Sequence, residues 1–202
     1  MIYTTPQREY FQIISDLHVD TSKDTSHIDW KTMFNRSADI LIISGDLGRI
    51  EFYENYKTFI GSICKEYKQV YLVAGNHEYY SDKIPLEFLR ISLSKLSTEI
   101  SNLQFLDDTW VDLPGNIRIY GTTLWCQVTS PEASCKMMPF QPVDGEAIGT
   151  KTWMNREYFQ CLYRLEHNIS LANRDKKRLI VDSHYAPCFE GCMSPHHAQS
   201  PD

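Results

Sequence analysis

Four short clusters of metal-binding residue types lie at the ends of apolar segments of this chain. They are Asp16-Leu17-His18, Gly45-Asp46, Gly75-Asn76-His77-Glu78 and Ser183-His184. The first three follow strand-like runs and open polar loops, which is where α/β sheets carry their ligand-binding groups. Carboxylate, amide and imidazole ligands without an organised set of thiolates suit manganese, iron or zinc better than calcium. The pattern predicts a two-metal site that hydrolyses phosphoric esters.

The spacing of the clusters predicts that they meet at one edge of a sheet. Asp46 follows Asp16 by 30 residues, and Asn76 follows Asp46 by the same interval. Each interval is about the length of one strand–helix–strand unit, so the three residues fall at the same end of parallel strands. In extended backbone, Asp16 and His18 project to the same side and can bind one ion. A carboxylate placed between the groups, as Asp46 is, can bridge two cations.

Two further residues of the third cluster are candidates for catalysis. We expect His77 to donate a proton to the leaving oxygen and Glu78 to orient His77. Each ligand candidate also has an ordinary explanation, since Asp16 can form a turn, Asp46 can cap a helix and His184 can be a histidine at a strand end. The joint occurrence of four clusters at four strand ends favours the metal site.

These clusters resemble the first four motifs of the calcineurin-like metallophosphoesterases, over about residues 11 to 187. The resemblance implies a four-layer α/β/β/α sandwich that holds two divalent metal ions and hydrolyses its substrate with a metal-bound hydroxide. It also implies a first ion held by Asp16, His18 and Asp46. The second ion would be held by Asp46, Asn76 and His184, with His77 assisting catalysis.

The chain departs from the family pattern in its last motif. The family closes with Gly-His-x-His, and no segment of these 202 residues matches it. His196 and His197 are adjacent and would point apart in extended backbone. We therefore expect a C-terminally incomplete sandwich. Two alternatives to an active enzyme stay open, namely a non-catalytic binding module that retains the fold and an inactive fragment of a longer enzyme.

Length and composition indicate one domain. The chain has 202 residues, of which 42% are hydrophobic, enough to bury a substantial core. We assign residues 1–187 to the phosphoesterase domain, with a loop-plus-helix insertion at 126–175, and residues 188–202 to an irregular tail. The apolar periodicity predicts helices at 28–35, 52–67, 85–100 and 153–173 and strands at 11–14, 38–44, 69–74, 102–106, 109–113, 117–121 and 178–182. The strands between 102 and 121 are expected to form a second, partly antiparallel sheet.

Charge and cysteine content narrow the partners and the compartment. The net charge is −6, so no global positive field attracts nucleic acid, and the expected partner is a phosphate-ester substrate. No signal-peptide core and no membrane-length apolar stretch is found. We expect a cytoplasmic protein with reduced thiols. Cys188, Cys192, His196 and His197 form a weak zinc-site alternative. The 126–150 loop is expected to decide specificity, but the substrate and the oligomeric state are not encoded in any pattern we find.

Overall fold

The computed structural model describes residues 9–19, 28–128 and 151–188, which form seven strands in two sheets and three α-helices. The strands are β1 (Phe11–Ile14), β2 (Ile40–Ser44), β3 (Gln69–Val73), β4 (Leu103–Phe105), β5 (Thr109–Leu113), β6 (Ile117–Thr122) and β7 (Arg178–Ser183). The helices are α1 (Tyr53–Cys64), α2 (Leu86–Glu99) and α3 (Lys151–Arg174). Every helix within these ranges is too short or too polar to cross a lipid bilayer.

The first sheet is fully parallel and carries three of the four clusters. Its strand order is β1-β2-β3-β4, and each pair is parallel. Leu41, Ile42 and Ile43 in β2 are almost completely buried, as expected for a central strand covered on both faces. The carboxyl ends of β1, β2 and β3 therefore lie side by side and deliver their loops to one edge.

The second sheet packs face to face against the first. Its order is β5-β6-β7, with β5 antiparallel and β7 parallel to β6. The apolar layer between the sheets contains Ile42, Tyr71, Val73, Leu106 and Ile119. A Cβ atom at Gly121 would lie 2.4 Å from Leu106 and 2.7 Å from Val73, so glycine is required at this contact between the sheets.

Helices cover the outer faces of both sheets. The buried stripes of α1 and α2 join the outward-facing side chains of β2 and β3 in one cluster, which contains Tyr56, Ile60, Ile63, Leu89, Leu93, Leu96, Leu41, Ile43, Val70 and Leu72. On the far side, Met154, Cys161 and Leu165 of α3 join the same cluster with Tyr120 of β6. The layers thus run α/β/β/α, and the predicted mixed α/β sandwich is confirmed.

Two predicted elements differ from the observed ones. The helix predicted at 28–35 is a short 3-10 turn, Trp30–Thr32, and just beyond it the Gln12 side chain binds the backbone at Asn35 and Ser37 instead. The strand at 102–106, expected in the second sheet, pairs with β3 in the first. The Asn102 amide donates to the carbonyl oxygens of Cys64 and Tyr67, which anchors β4 beside β3.

Several expectations concern residues outside the described ranges. These are most of the 126–150 loop, almost all of the 188–202 tail, and three members of the zinc alternative, Cys192, His196 and His197. They remain predictions.

Candidate metal centre

The loops that carry the candidate ligands have an unusual backbone. Asp16, His18 and Asp46 have φ angles of 56°, 46° and 53°, the left-handed region that residues other than glycine seldom occupy. Three backbone hydrogen bonds join the loops, from Asp16 N to Gly45 O and from His18 N to Asp46 O, both at 3.0 Å, and from Val19 N to Leu47 O at 2.9 Å. Such conformations cost on the order of 1–3 kcal/mol each and persist where the surroundings enforce them, typically at functional sites.

Gly45 and Gly75 allow the loops to approach each other. A Cβ atom on Gly45, where φ is +91°, would lie 2.6 Å from both the Gly75 nitrogen and Nδ1 of His184. A Cβ atom on Gly75 would lie 2.1 Å from Oδ1 of Asp46. Neither position tolerates a side chain without moving a candidate ligand.

The buried Glu78 carboxylate joins the loops that carry Asp46 and Gly75 by hydrogen bonds to both backbones. The residue is fully buried, and its carboxylate accepts hydrogen bonds from the backbone nitrogens of Asp46, Leu47, Gly48 and Gly75 and from the Tyr56 hydroxyl. Burial raises the pKa of Glu78 to about 7, and the charge of Asp46 adds to the shift, while the backbone donors oppose it. The structure corrects the expectation that Glu78 orients His77, because its oxygens face the loop backbone.

One group of candidate ligands forms around His18. Its Nε2 atom lies 3.6 Å from Oδ1 of Asp16 and 3.8 Å from Oδ2 of Asp46. The side chain of Asp16 is 55% exposed and that of His18 is 34% exposed. This half of the site opens to solvent.

A second group forms around His184. Its Nδ1 atom lies 2.9 Å from the carbonyl oxygen of Ser44, which can only accept, so Nδ1 carries the ring proton. In the neutral ring the other nitrogen, Nε2, presents a lone pair. It faces two oxygens, Oδ1 of Asp46 at 3.4 Å and Oδ1 of Asn76 at 3.2 Å. Three acceptors directed at one another repel unless a cation lies between them, so the donor set fits a divalent metal ion.

Asp46 lies between the two groups and is almost fully buried. Its Oδ2 faces His18 and its Oδ1 faces His184, while Oδ1 also accepts from the backbone nitrogen of His77 at 2.9 Å. The structure therefore gathers Asp16, His18 and His184 around the Asp46 carboxylate, with Asn76 beside His184. Their arrangement can hold two ions on the two sides of Asp46.

His77 lies at the mouth of the same site. Its ring centroid is 4.3 Å from that of His18 and 4.5 Å from that of Tyr80. One ligand atom each from His77, His18 and Asp46 lie within 4.8 Å of one another. The position suits a proton donor at the metal site, and it also places His77 within reach of an ion.

Sequence reasoning missed several residues that support the ligands. The Ser44 hydroxyl donates to Oδ1 of Asp182 at 2.6 Å, and burial raises the pKa of the Asp182 carboxyl. Asp182 precedes His184 by two residues in the chain, and strand alternation could have indicated that both face the site. Tyr80 and Tyr185 contact the Asn76 amide, and no sequence signal pointed to them. Tyr79, which follows Glu78, is a buried packing residue beside Trp125.

Comparisons with known proteins agree with this geometry. The family model for calcineurin-like phosphoesterases matches residues 11–189. An uncharacterized protein, L509, from Acanthamoeba polyphaga mimivirus is 24% identical over 200 residues, which cover 87% of this chain and 67% of the viral protein. The crystal structure of phosphopantetheinyl hydrolase (PptH) from Mycobacterium tuberculosis has a TM-score of 0.60 at 15% identity, covering 93% of this chain and 73% of that one. That likeness concerns the fold. With the family model spanning most of its length and the motif residues gathered at one sheet edge, the chain belongs to the calcineurin-like phosphoesterases, a family of metal-dependent hydrolases.

Proposed function

We propose that this protein hydrolyses a phosphate ester at a dinuclear metal site built from Asp16, His18, Asp46, Asn76 and His184. The observation that carries the proposal is the position of Asp46. Its two carboxylate oxygens face the Nε2 atoms of two different histidines, His18 and His184. That arrangement supports a carboxylate shared by two cations.

The ligands are assigned to the two ions by their shortest contacts, and the Asp16 carboxylate also lies within 4.8 Å of the ligand atoms of Asp46 and His184. Asp16 and His18 would hold the first ion, Asn76 and His184 the second, and Asp46 both. When bound, the ions lower the pKa of a coordinated water and neutralise charge on the phosphoryl group. Manganese, iron and zinc all suit this set of oxygen and imidazole ligands. The chain itself fixes the distance between the ligand groups through the short Gly45 and Gly75 contacts.

His77 and Glu78 have separate tasks in this proposal. His77 would donate a proton to the leaving oxygen, since its ring lies beside the His18 ring at the site. The hydrogen bond from the His77 nitrogen to Asp46 couples its backbone to the shared ligand. Glu78 is a positioning residue, because its carboxylate binds the backbone of both ligand loops.

The proposed substrate is a phosphomonoester or a phosphodiester. We further propose a cytoplasmic location, in keeping with the unpaired thiols of Cys64 and Cys161 among the described residues. Both thiols are buried, and burial raises the pKa of each to about 12, so they stay protonated and unreactive.

The test combines ion content with hydrolysis. Metal-free protein is loaded with Mn²⁺, freed of excess, and assayed for bound manganese and for hydrolysis of p-nitrophenyl phosphate and its bis-ester. Asp46→Asn is the inactive comparison, since asparagine tolerates the left-handed backbone at that position. Asp39→Asn, at an exposed ion pair with Lys68, is the matched control and should behave as wild type.

Two bound ions and hydrolysis above the Asp46→Asn level support the proposal. Two ions without hydrolysis of either ester would favour a binding module that retains the fold. Protein that binds no manganese, iron or zinc would overturn the dinuclear site itself.

A further inference from the structure

The amide of Asn76 is held at both ends by tyrosine hydroxyls. We propose that Tyr80 and Tyr185 are positioning residues that fix this amide so that its oxygen is presented to the second metal ion. This inference rests on the proposed function, because it concerns the ion that Asn76 and His184 would share.

The contacts on the amide are direct. The Asn76 nitrogen Nδ2 donates to the Tyr80 hydroxyl at 2.6 Å. The Tyr185 hydroxyl donates to the Asn76 oxygen Oδ1 at 3.0 Å. The same oxygen lies 3.2 Å from Nε2 of His184. A carbonyl oxygen has two lone pairs, so Tyr185 occupies one while the other remains directed toward His184 and the proposed ion.

Each tyrosine is anchored by a different part of the fold. Tyr80 is buried; its nitrogen donates to the carbonyl of His77 and its carbonyl accepts from Nε of Arg49. Tyr185 follows the β7 ligand His184, its nitrogen donates to the carbonyl of Thr123, and its ring lies 6.0 Å from that of Trp125. The two hydroxyls are therefore fixed independently, and together they hold the amide in place at its nitrogen and at its oxygen.

An asparagine ligand needs this restraint more than an aspartate does. Either oxygen of a carboxylate can bind a cation, whereas an amide turned by half a revolution presents its NH₂ group and binds none. Removing a group that hydrogen-bonds a metal ligand, without itself touching the metal, typically lowers metal affinity or activity by about 10–100-fold. The effect should fall on the second ion, because both tyrosine hydroxyls bind the Asn76 amide.

The test is a calorimetric titration of the metal-free full chain with Mn²⁺. We compare wild type, Tyr80→Phe, Tyr185→Phe and, as matched control, Tyr71→Phe, a buried tyrosine of the layer between the sheets. Each of the first two variants should weaken one of the two binding events by about 10-fold or more and leave the other unchanged. Tyr71→Phe should bind both ions as wild type does. The Tm of each metal-free variant is measured alongside.

A second comparison separates positioning from simple loss of structure. Asn76→Ala should remove the same binding event, and adding Tyr80→Phe to Asn76→Ala should change ion binding no further, because the hydroxyl then has no amide to hold. Equal weakening of both events, or an additive effect of Tyr80→Phe in the Asn76→Ala background, would overturn the inference. Wild type that binds two ions while both tyrosine variants match it would overturn the inference and leave the proposed function standing. Wild type that binds fewer than two ions would overturn both.

Discussion

The two halves of the metal centre are built differently. In the half around Asn76 and His184, the His184 side chain is only 8% exposed, and each ligand makes a further hydrogen bond, His184 to the Ser44 carbonyl and Asn76 to two tyrosine hydroxyls. Around Asp16 and His18 the side chains are partly exposed, and their positions depend on left-handed backbone angles. In the proposed dinuclear site, the half around His184 would be preorganised, whereas the half around His18 would need an ion to order its side chains.

This difference predicts unequal affinities for the two ions. Preorganised ligands lose little conformational entropy on binding, while exposed side chains must be ordered by the ion. Exposed charges are also screened by water and salt. The ion beside His184 should therefore bind more tightly than the ion beside His18.

Gly75→Ala should have the largest effect, because it disturbs the ligand that both halves share. The new Cβ would lie 2.1 Å from Oδ1 of Asp46 and must displace that carboxylate. We expect hydrolysis of p-nitrophenyl esters to fall by roughly 100-fold or more and manganese content to drop below that of wild type. Gly61→Ala is the matched control, since its Cβ would find no atom closer than 3.8 Å. Similar activities for the two variants would show that the close approach at Gly75 is unimportant.

His77→Gln should separate catalysis from ion binding. If His77 donates a proton, both ions remain bound and kcat falls by about 10²–10⁴-fold. Manganese content and kcat are measured on the same preparation, with His167→Gln on α3 as the control. Loss of one ion in the His77 variant would instead identify His77 as a metal ligand, as its place beside His18 and Asp46 permits.

Glu78→Gln should destabilise the protein at the loops that carry Asp46 and Gly75. The substitution points an NH₂ group at backbone N–H donors that the carboxylate now binds, which leaves buried donors unsatisfied. The free energy of unfolding should fall by about 1–3 kcal/mol, measured by urea denaturation of the metal-free protein. Glu66→Gln, at the exposed pair with Lys31, should change it by less than about 0.5 kcal/mol. If the two variants lowered the free energy of unfolding equally, Glu78 would have no special part in stabilising these loops.

Ser44→Ala should give the smallest effect. It removes the hydroxyl that donates to the buried Asp182 carboxyl and keeps the carbonyl that binds His184. We expect a loss of about 1 kcal/mol in the free energy of unfolding. Ser94→Ala on the exposed face of α2 should show no such loss. A Ser44 variant as stable as that control would show that the Ser44–Asp182 hydrogen bond between β2 and β7 does not stabilise the fold.

The features that could be predicted from the sequence were those that leave a regular pattern along the chain. The strands that end near Asp16, Asp46 and Asn76 were recognisable from apolar runs, and equal spacing placed the three residues at one sheet edge. Tertiary hydrogen bonds accompany both misplaced elements, since the Gln12 side chain binds the backbone at Asn35 and Ser37 and Asn102 anchors β4 beside the first sheet.

The supporting residues could not be predicted in the same way. Glu78 looked like a partner of its neighbour His77, but three of its hydrogen bonds come from a loop about thirty residues earlier in the chain. Tyr80 and Tyr185 act on Asn76 from two separate loops. Contacts of that kind follow from sheet packing, which leaves no periodic signal in the sequence.

The most direct test of the predicted difference in affinity is a calorimetric titration with Mn²⁺. The metal-free proteins compared are wild type, Asp16→Ala and His184→Ala. We predict two binding events in wild type, one tight and one weaker. The tight event should survive in Asp16→Ala and be lost in His184→Ala. The weaker event should be lost in Asp16→Ala. A tight event that is lost in Asp16→Ala and survives in His184→Ala would contradict the account, as would a single event that both substitutions weaken equally.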